Sequence, residues 1–347
     1  METRKYAAID GRGAIVVQQG PVPEPGPGEV LVDVHASLIS SGTELGGVKR
    51  LRESPRERPP RPFGYQNAGR VIVLGEGCRG LEPGMRVACM GAGYALHATV
   101  ACVPQNLVFP LAENITFEEA AFNHLAATAL QAVRRADVRL GEYLAVFGLG
   151  TIGQICCQLG RLAGAYVLGV DLFPLRVEKA RELGAHAVAL AGRDDLGAVV
   201  SELTGGHGLD AAIIAFGGDA TETFKQIVRL MKTAPDTHKM GNIVIVGGAR
   251  IAHEFASALG NLNVLSSART GPGYHDEAWE RGRDYPDVFV RWTTRRNVEL
   301  CLRLISEGRL RVAPLITHRY PLEQVPEACE KIIQTPEETI SVVLVMK

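Results

Sequence analysis

The pattern of apolar and polar positions changes character twice along this chain. Up to about residue 115, apolar residues come in short alternating runs broken by glycine and proline. The loop Pro21-Val-Pro-Glu-Pro-Gly-Pro-Gly28 feeds an alternating segment, Glu29 to His35, whose period of two predicts a strand. Ala68–Leu74, Met85–Met90 and Ala98–Val103 read the same way, with Gly75-Glu-Gly77 and Pro83-Gly84 as turns, so this part is expected to be an all-β module. From Phe117 the spacing becomes helical. At Tyr143 a third texture begins, in which apolar runs of strand length (Leu144–Phe147, Val167–Val170, Ala211–Ala215, Ile243–Val246) alternate with helical stretches such as Leu175–Leu183 and Thr221–Met231. That order predicts a parallel sheet wrapped by helices. A helix over Thr293–Glu307 and a strand-rich tail from Pro314 to Val345 close the chain, and no internal repeat is visible.

Length and composition then narrow the class. A chain of 347 residues suits two domains. Lys and Arg total 37 against 38 Asp and Glu, a balance that points to neither a nucleic-acid nor a membrane partner. The weakly charged stretch Tyr143–Gly160 is broken by glycines and two glutamines, so it reads as strand, turn and helix rather than a membrane span. Met-Glu-Thr-Arg-Lys at the start is followed by no apolar core, so no signal peptide is expected. Seven cysteines without a CxxC pair argue for reduced thiols in a cytoplasmic protein, with Cys156 and Cys157 as packing residues of a buried helix.

The chemistry begins at Val146-Phe-Gly148-Leu-Gly150-Thr-Ile-Gly153, which follows a strand and opens a helix. Gly148 permits the tight turn, Gly150 lets backbone approach a pyrophosphate, and Gly153 lets helix pack on strand; Thr151 and Ile152 begin the helix whose N–H groups face the phosphates. The next strand ends in Asp171, where an acidic residue accepts both ribose hydroxyls. That carboxylate selects NAD over NADP by repelling a 2′-phosphate. Leu172 and Arg176 follow it, Arg176 as a cap of the local helix, and Phe216, Gly217 and Gly247 lie at the ends of later strands as further cofactor contacts.

Gly26-Pro-Gly-Glu-Val-Leu-Val32, Ala68-Gly-Arg-Val-Ile-Val-Leu-Gly-Glu-Gly77 and Pro83-Gly-Met-Arg-Val87 resemble the catalytic domain of medium-chain dehydrogenases. The resemblance runs along essentially the whole chain. It implies an α/β fold of a GroES-like β domain (residues 1–118 and 297–347, returning near Ile316-Thr-His-Arg-Tyr-Pro321) and a Rossmann doubly wound domain (119–296). A closer resemblance is to the zinc-less branch, with bacteriochlorophyllide hydroxyethyl dehydrogenase-like proteins and bi-domain sugar oxidoreductases. Ser41-Gly-Thr-Glu44, Gly64-Tyr-Gln-Asn-Ala-Gly69, Thr128-Ala-Leu-Gln-Ala-Val-Arg134, Gly271-Pro-Gly273, Asp284-Tyr-Pro286 and Val290-Arg-Trp-Thr293 carry it. Tyr274-His275 departs from that pattern, where Arg-Tyr precedes the Asp.

Catalytic zinc needs three ligands drawn from Cys, His and carboxylate. The resemblance puts Ser41 where the family has Cys, Tyr65 and Gln66 where it has His-Glu, and Asn123 at the third ligand. The four-cysteine structural zinc lobe is absent as well. No metal is therefore expected, and the alcohol proton falls to side chains that inherit the vacated place. Thr43 aligns with the family's relay hydroxyl, Tyr65 with a ligand aimed at the substrate oxygen, and His97 with a pocket-wall aromatic residue. Glu44 and His124 are neighbours that orient or titrate, Glu44 also reading as a structural hydrogen-bond acceptor and His124 as a helix-start residue. Arg50, Arg52, Arg56, Arg58 and Arg61, interleaved with Glu53 and Glu57, read as a solvated loop.

The expected function is NAD-dependent interconversion of a secondary alcohol and a ketone, on a sugar, cyclitol or natural-product intermediate, by a cytoplasmic homodimer or dimer of dimers. The subunits would pair through a strand at Asn263–Ser267. Two other readings stay open: an NADPH-dependent quinone or enoyl reductase, and a catalytically silent dinucleotide-binding protein.

Overall fold

The computed structural model describes residues 3–346. The chain divides into two compact units, one made of the chain up to Ala127 and from Thr270 onward, the other of Thr128–Arg269.

In the second unit six strands form one wholly parallel sheet in the order Ala187–Leu190, Tyr166–Asp171, Tyr143–Phe147, Ala211–Ile214, Met240–Val246, Asn261–Ser267. Chain order reverses between Tyr143–Phe147 and Ala211–Ile214, which makes the carboxyl ends of those two strands the switch point of a doubly wound sheet. Its strands are apolar on both faces, as burial beneath helices on both sides requires. Phe224 and Ile227 from the helix Thr221–Leu230 and Leu196 and Val200 from the helix Leu196–Thr204 pack into the core with Phe147, Leu168 and Ile243. Asn261–Ser267 lies at the sheet edge, two residues longer at its start than the sequence pattern predicts.

The first unit is built on a seven-stranded sheet centred on the long strand Glu29–Leu38, which pairs with Gln66–Leu74, Val100–Pro104 and Ser341–Val345. A second sheet is the hairpin Thr3–Ile9 and Ile15–Pro21, joined at Ile9 by Arg61–Pro62. The expectation of an all-β module is corrected by the helix Thr43–Glu53. Its buried apolar residues are Leu45 and Val48, with Leu51 packed partly buried beside them, and Gly46-Gly47 disguises the helical period. Arg50 and Arg52 lie on this helix rather than in a loop, and Arg52 is paired with Glu330. The tail also holds a helix, Val325–Gln334, with Val325, Ala328, Cys329 and Ile332 buried at the spacing of one helical face.

The domain boundaries differ from residues 118/119 and 296/297. Asn123, at the start of the helix Asn123–Ala136, is tied to the first unit because its Nδ2 donates to the Asn67, Cys89 and Ala120 carbonyls. Residues 270–296 are tied there too. Asn106 donates to the Trp279 carbonyl and accepts from Arg295, while Gln105 Nε2 donates to the Arg281 carbonyl at 2.8 Å. Hydrogen bonds of loop residues thus decide where the chain returns, and those leave no periodic trace in sequence. No helix among the described residues is long and apolar enough to cross a membrane, and none of them forms a disulfide.

Asn106→Ala removes both of its bonds across this segment. Leaving the Trp279 carbonyl unpaired is expected to cost about 1–3 kcal/mol. Limited proteolysis should then cut faster within residues 276–292; unchanged cleavage and an unchanged unfolding midpoint would contradict the assignment.

Candidate functional site

Two separate constellations carry chemistry, one in each unit. In the parallel-sheet unit Gly148 sits at the switch point with φ +91°, and a Cβ there would lie 3.1 Å from Phe216 Cβ. A Cβ on Gly153 would lie 1.8 Å from the Gly148 carbonyl oxygen, so only glycine lets the helix Thr151–Leu162 rise this close to its strand. Gly150 caps that helix without a side-chain hydrogen bond, and a Cβ there would meet nothing within 4 Å. An open space before an uncapped helix N-terminus fits a pyrophosphate. Gly247, with φ +95° and equally open surroundings, lies just past Met240–Val246; Gly217 follows Ala211–Ile214 in the same way.

Asp171, 7% exposed, accepts from Leu149 N–H at 2.6 Å through one oxygen and from Phe173 N–H at 2.9 Å through the other. The carboxylate therefore fastens the glycine turn to the end of the second strand, and each oxygen keeps a lone pair for a ribose hydroxyl. Arg176 stands in the first turn of the helix Pro174–Glu182, and rather than cap it the guanidinium lies 3.8 Å from Asp171 Oδ2 and over the Phe173 ring at 4.8 Å. Burial lowers its pKa while Asp171 opposes that fall. Leu172 is 67% exposed and Ile152 half-buried, whereas Thr151 is buried.

The other constellation belongs to the first unit. Tyr65 directly precedes the strand Gln66–Leu74, and its phenol, 7% exposed, is hydrogen-bonded by the Ser40 and Thr43 hydroxyls. Burial, and after it the charge of Glu44, hold this phenol far above the ordinary tyrosine range. Thr43 opens the helix Thr43–Glu53, and its backbone N–H points at Ser40 Oγ at 3.4 Å. Glu44 Oε2 accepts from Ser40 N–H at 2.8 Å and lies 3.2 Å from His97 Nε2. The His97 Nδ1 is 2.8 Å from Ser37 Oγ.

His97 is the main correction. It has no exposure at all, both ring nitrogens are engaged, and Phe63 meets it edge-on, so it cannot touch a substrate as the expected base. A ring with a proton on Nε2 donates to Glu44, while Nδ1 meets the Ser37 hydroxyl. Glu44 is a structural acceptor, as one of its two readings had it. His124 is half-buried between the rings of Tyr65 at 4.5 Å and Tyr274 at 5.6 Å. Burial, and then the charge of His275, push its pKa down to about 3, so it does not titrate near neutrality. Ser40, whose hydroxyl meets Tyr65, joins this constellation and was not singled out in the sequence. The doublet Ser40-Ser41 before Gly-Thr was the available signal; Ser41, read only as the replacement of a zinc ligand, is exposed.

The places that would hold zinc do not fit it. Gln66 spends its amide bridging Leu38 O and Leu125 N–H, at 3.2 Å each, and Asn123 spends its own on three carbonyls. Tyr65 is an un-ionised phenol. Among the described residues no group of three His, Cys, Asp or Glu stands close enough to hold a metal.

Comparison with known proteins agrees with this architecture. The alcohol dehydrogenase GroES-like domain model matches residues 26–113 and the zinc-binding dehydrogenase model residues 151–282. Sorbitol dehydrogenase of Bos taurus is 28% identical over 352 residues, covering 93% of this chain and 91% of that protein. An Escherichia coli oxidoreductase/dehydrogenase of unknown specificity superposes with a TM-score of 0.82 at 22% identity, covering 99% of both chains. The 2R,3R-butanediol dehydrogenase of Bacillus subtilis gives 0.78 at 22% identity, covering 99% of this chain and 100% of its own. This chain belongs to the medium-chain dehydrogenase/reductase family of oxidoreductases.

His97→Ala would open a cavity beside Phe63 and strip Glu44 of its ring partner. A loss of about 3–5 kcal/mol in denaturant unfolding is expected. A loss below about 1 kcal/mol would return His97 to a role other than support.

Proposed function

We propose that this protein is a zinc-independent, NAD-dependent dehydrogenase that interconverts a secondary alcohol and a ketone, with Tyr65 as the group that exchanges the proton. The observation that carries the reading is the Tyr65 phenol, set in a family ligand position and hydrogen-bonded by Ser40 and Thr43. The cofactor, when bound, accepts or supplies the hydride. Gly148, Gly150 and the first turn at Thr151–Gly153 would hold its pyrophosphate and Asp171 its ribose, with Leu172, Arg176, Phe216, Gly217 and Gly247 around it. Thr43 shares the proton with Tyr65, Glu44 and His97 brace the pair, and His124 offers a neutral imidazole able to donate or accept a hydrogen bond.

The substrate class proposed is a polyol, sugar or cyclitol, or a hydroxyl-bearing natural-product intermediate. The names of the sorbitol and butanediol dehydrogenase relatives support it. A homodimer or dimer of dimers, paired through the edge strand Asn261–Ser267, and a cytoplasmic location complete the reading. Arg176 favours a second reading, an NADP-using reductase, because its guanidinium beside Asp171 could meet a 2′-phosphate.

Calorimetry separates the two. NAD should bind much more tightly than NADP, and Asp171→Ser should narrow the gap; equal affinities in the unaltered protein would favour the second reading. For the chemistry, Tyr65→Phe should reduce turnover roughly 10²–10⁴-fold in a screen of polyols followed by NADH absorbance, with NAD affinity unchanged. Near-normal turnover in that variant would remove Tyr65 from the mechanism.

A further inference from the structure

The first unit contains a buried polar chain that the reaction does not obviously need. Ser37, His97 and Glu44 are hydrogen-bonded in series, and Glu44 ends the series at Ser40 N–H, whose own hydroxyl is on Tyr65. Glu44 is 8% exposed. Only its Oε2 is used: Oε1 is buried and has no hydrogen-bond partner among the described residues. A buried carboxylate oxygen left without a donor is costly, which makes its retention informative.

We propose that Glu44, braced by His97 and Ser37, is a positioning residue that reserves Tyr65 for proton donation, so that this site is organised to protonate the oxygen of a substrate carbonyl. The proposal rests on the reading above, in which Tyr65 exchanges the proton, and it adds the direction for which the site is prepared. Three titratable groups face Tyr65: Glu44 from the helix Thr43–Glu53, His124 from the helix Asn123–Ala136, and Tyr274 from the loop after Gly273. None brings a positive charge near neutrality, since His124 is neutral there. Burial is the larger cause that keeps the phenol protonated, and the Glu44 carboxylate adds to it by disfavouring a second negative charge there. Donation by the Ser40 and Thr43 hydroxyls works the other way but does not overcome burial and Glu44 together.

In the reductive step the carbonyl carbon gains a hydride from a reduced nicotinamide, which is thereby oxidised. The C=O π pair moves to oxygen, the Tyr65 O–H bond breaks, and its proton forms the new alcohol O–H. Ser40 and Thr43 hydrogen-bond the resulting phenolate until water returns the proton. Reduction finds Tyr65 in its ready form at neutral pH. Oxidation requires the phenolate, so its kcat/KM should rise about tenfold per pH unit across the alkaline range.

The test is an alkaline titration of tyrosinate absorbance on the cofactor-free protein, taken as the difference between the unaltered chain and Tyr65→Phe. The same difference is then taken in a Glu44→Gln background. Glutamine keeps an acceptor for Ser40 N–H and removes the charge. The difference in the unaltered background should show no ionisation where ordinary tyrosines titrate, about pH 10. In the Gln background an extra tyrosinate should appear about one pH unit or more lower than without that change, and the break in the oxidation profile should move with it. An identical titration in both backgrounds overturns the proposal. If Glu44→Gln does not fold, the unaltered protein still decides, because Tyr65 ionising with the ordinary tyrosines overturns the proposal. Loss of turnover in Tyr65→Phe with no Glu44 effect sinks this inference alone. Full turnover in Tyr65→Phe sinks the functional reading as well.

Discussion

A carboxylate withdrawn from water must find donors or become an expense of several kcal/mol, and in the first unit that constraint falls on Glu44. It is met by Ser40 N–H and by His97, and much of the local fold serves those two bonds. The Ser40 bond fixes the turn that delivers Ser40 and Thr43 to Tyr65 and starts the helix Thr43–Glu53. His97 in turn is pinned on both sides. Its side chain is held by Ser37, near the end of the long strand Glu29–Leu38, and its backbone N–H donates to Phe63 while its carbonyl accepts from Ala7. The N-terminal hairpin, the central strand and the segment before Gln66–Leu74 thus converge on one imidazole, and through it on one phenol.

The parallel-sheet unit is governed by sterics instead. The 1.8 Å clash that any side chain at Gly153 would make with Gly148 O sets how closely helix and strand approach. That approach leaves the helix start open, and Asp171 closes the arrangement by accepting Leu149 N–H. A residue chosen by its distance from the glycines as a ribose acceptor therefore has a second task, holding the turn. Asp171→Ser consequently alters the turn as well as the charge.

Much of this was legible in the sequence, because sheet strands and glycine turns have periods and fixed offsets. Four of the six strands, the glycine turn and Asp171 follow from apolar runs and spacing, whereas the strand at Asn263–Ser267 came from the family resemblance and the four-residue strand Ala187–Leu190 did not stand out. The helix Thr43–Glu53 did not, since two buried side chains and a Gly-Gly pair make too weak a period. Nor did the return of the chain at Thr270, which depends on side-chain amides of Gln105 and Asn106 bonding distant carbonyls. In the candidate site, the family resemblance named Tyr65, Thr43 and Glu44, which the structure brings together, and it read as a base a His97 that burial removes from contact with substrate. A histidine supporting a buried carboxylate and one facing a substrate are the same letter, and only burial separates them. Ser40 left no signal of its own, because only the folded turn shows which hydroxyl of the Ser40-Ser41 pair lies beside Tyr65.

In the proposed site a hydrogen-bonded phenol stands where the resemblance to medium-chain dehydrogenases places a zinc ligand. The amides of Gln66 and Asn123 bind backbone, Ser41 is exposed, and Tyr65 is un-ionised, so these four places do not offer the donors zinc takes. The most direct measurement is elemental analysis of the purified protein before and after exhaustive chelation, paired with turnover of the same samples. The expected result is far less than one zinc per chain and turnover unchanged by chelation. About one tightly held zinc per chain, lost together with activity and restored with it, would contradict it.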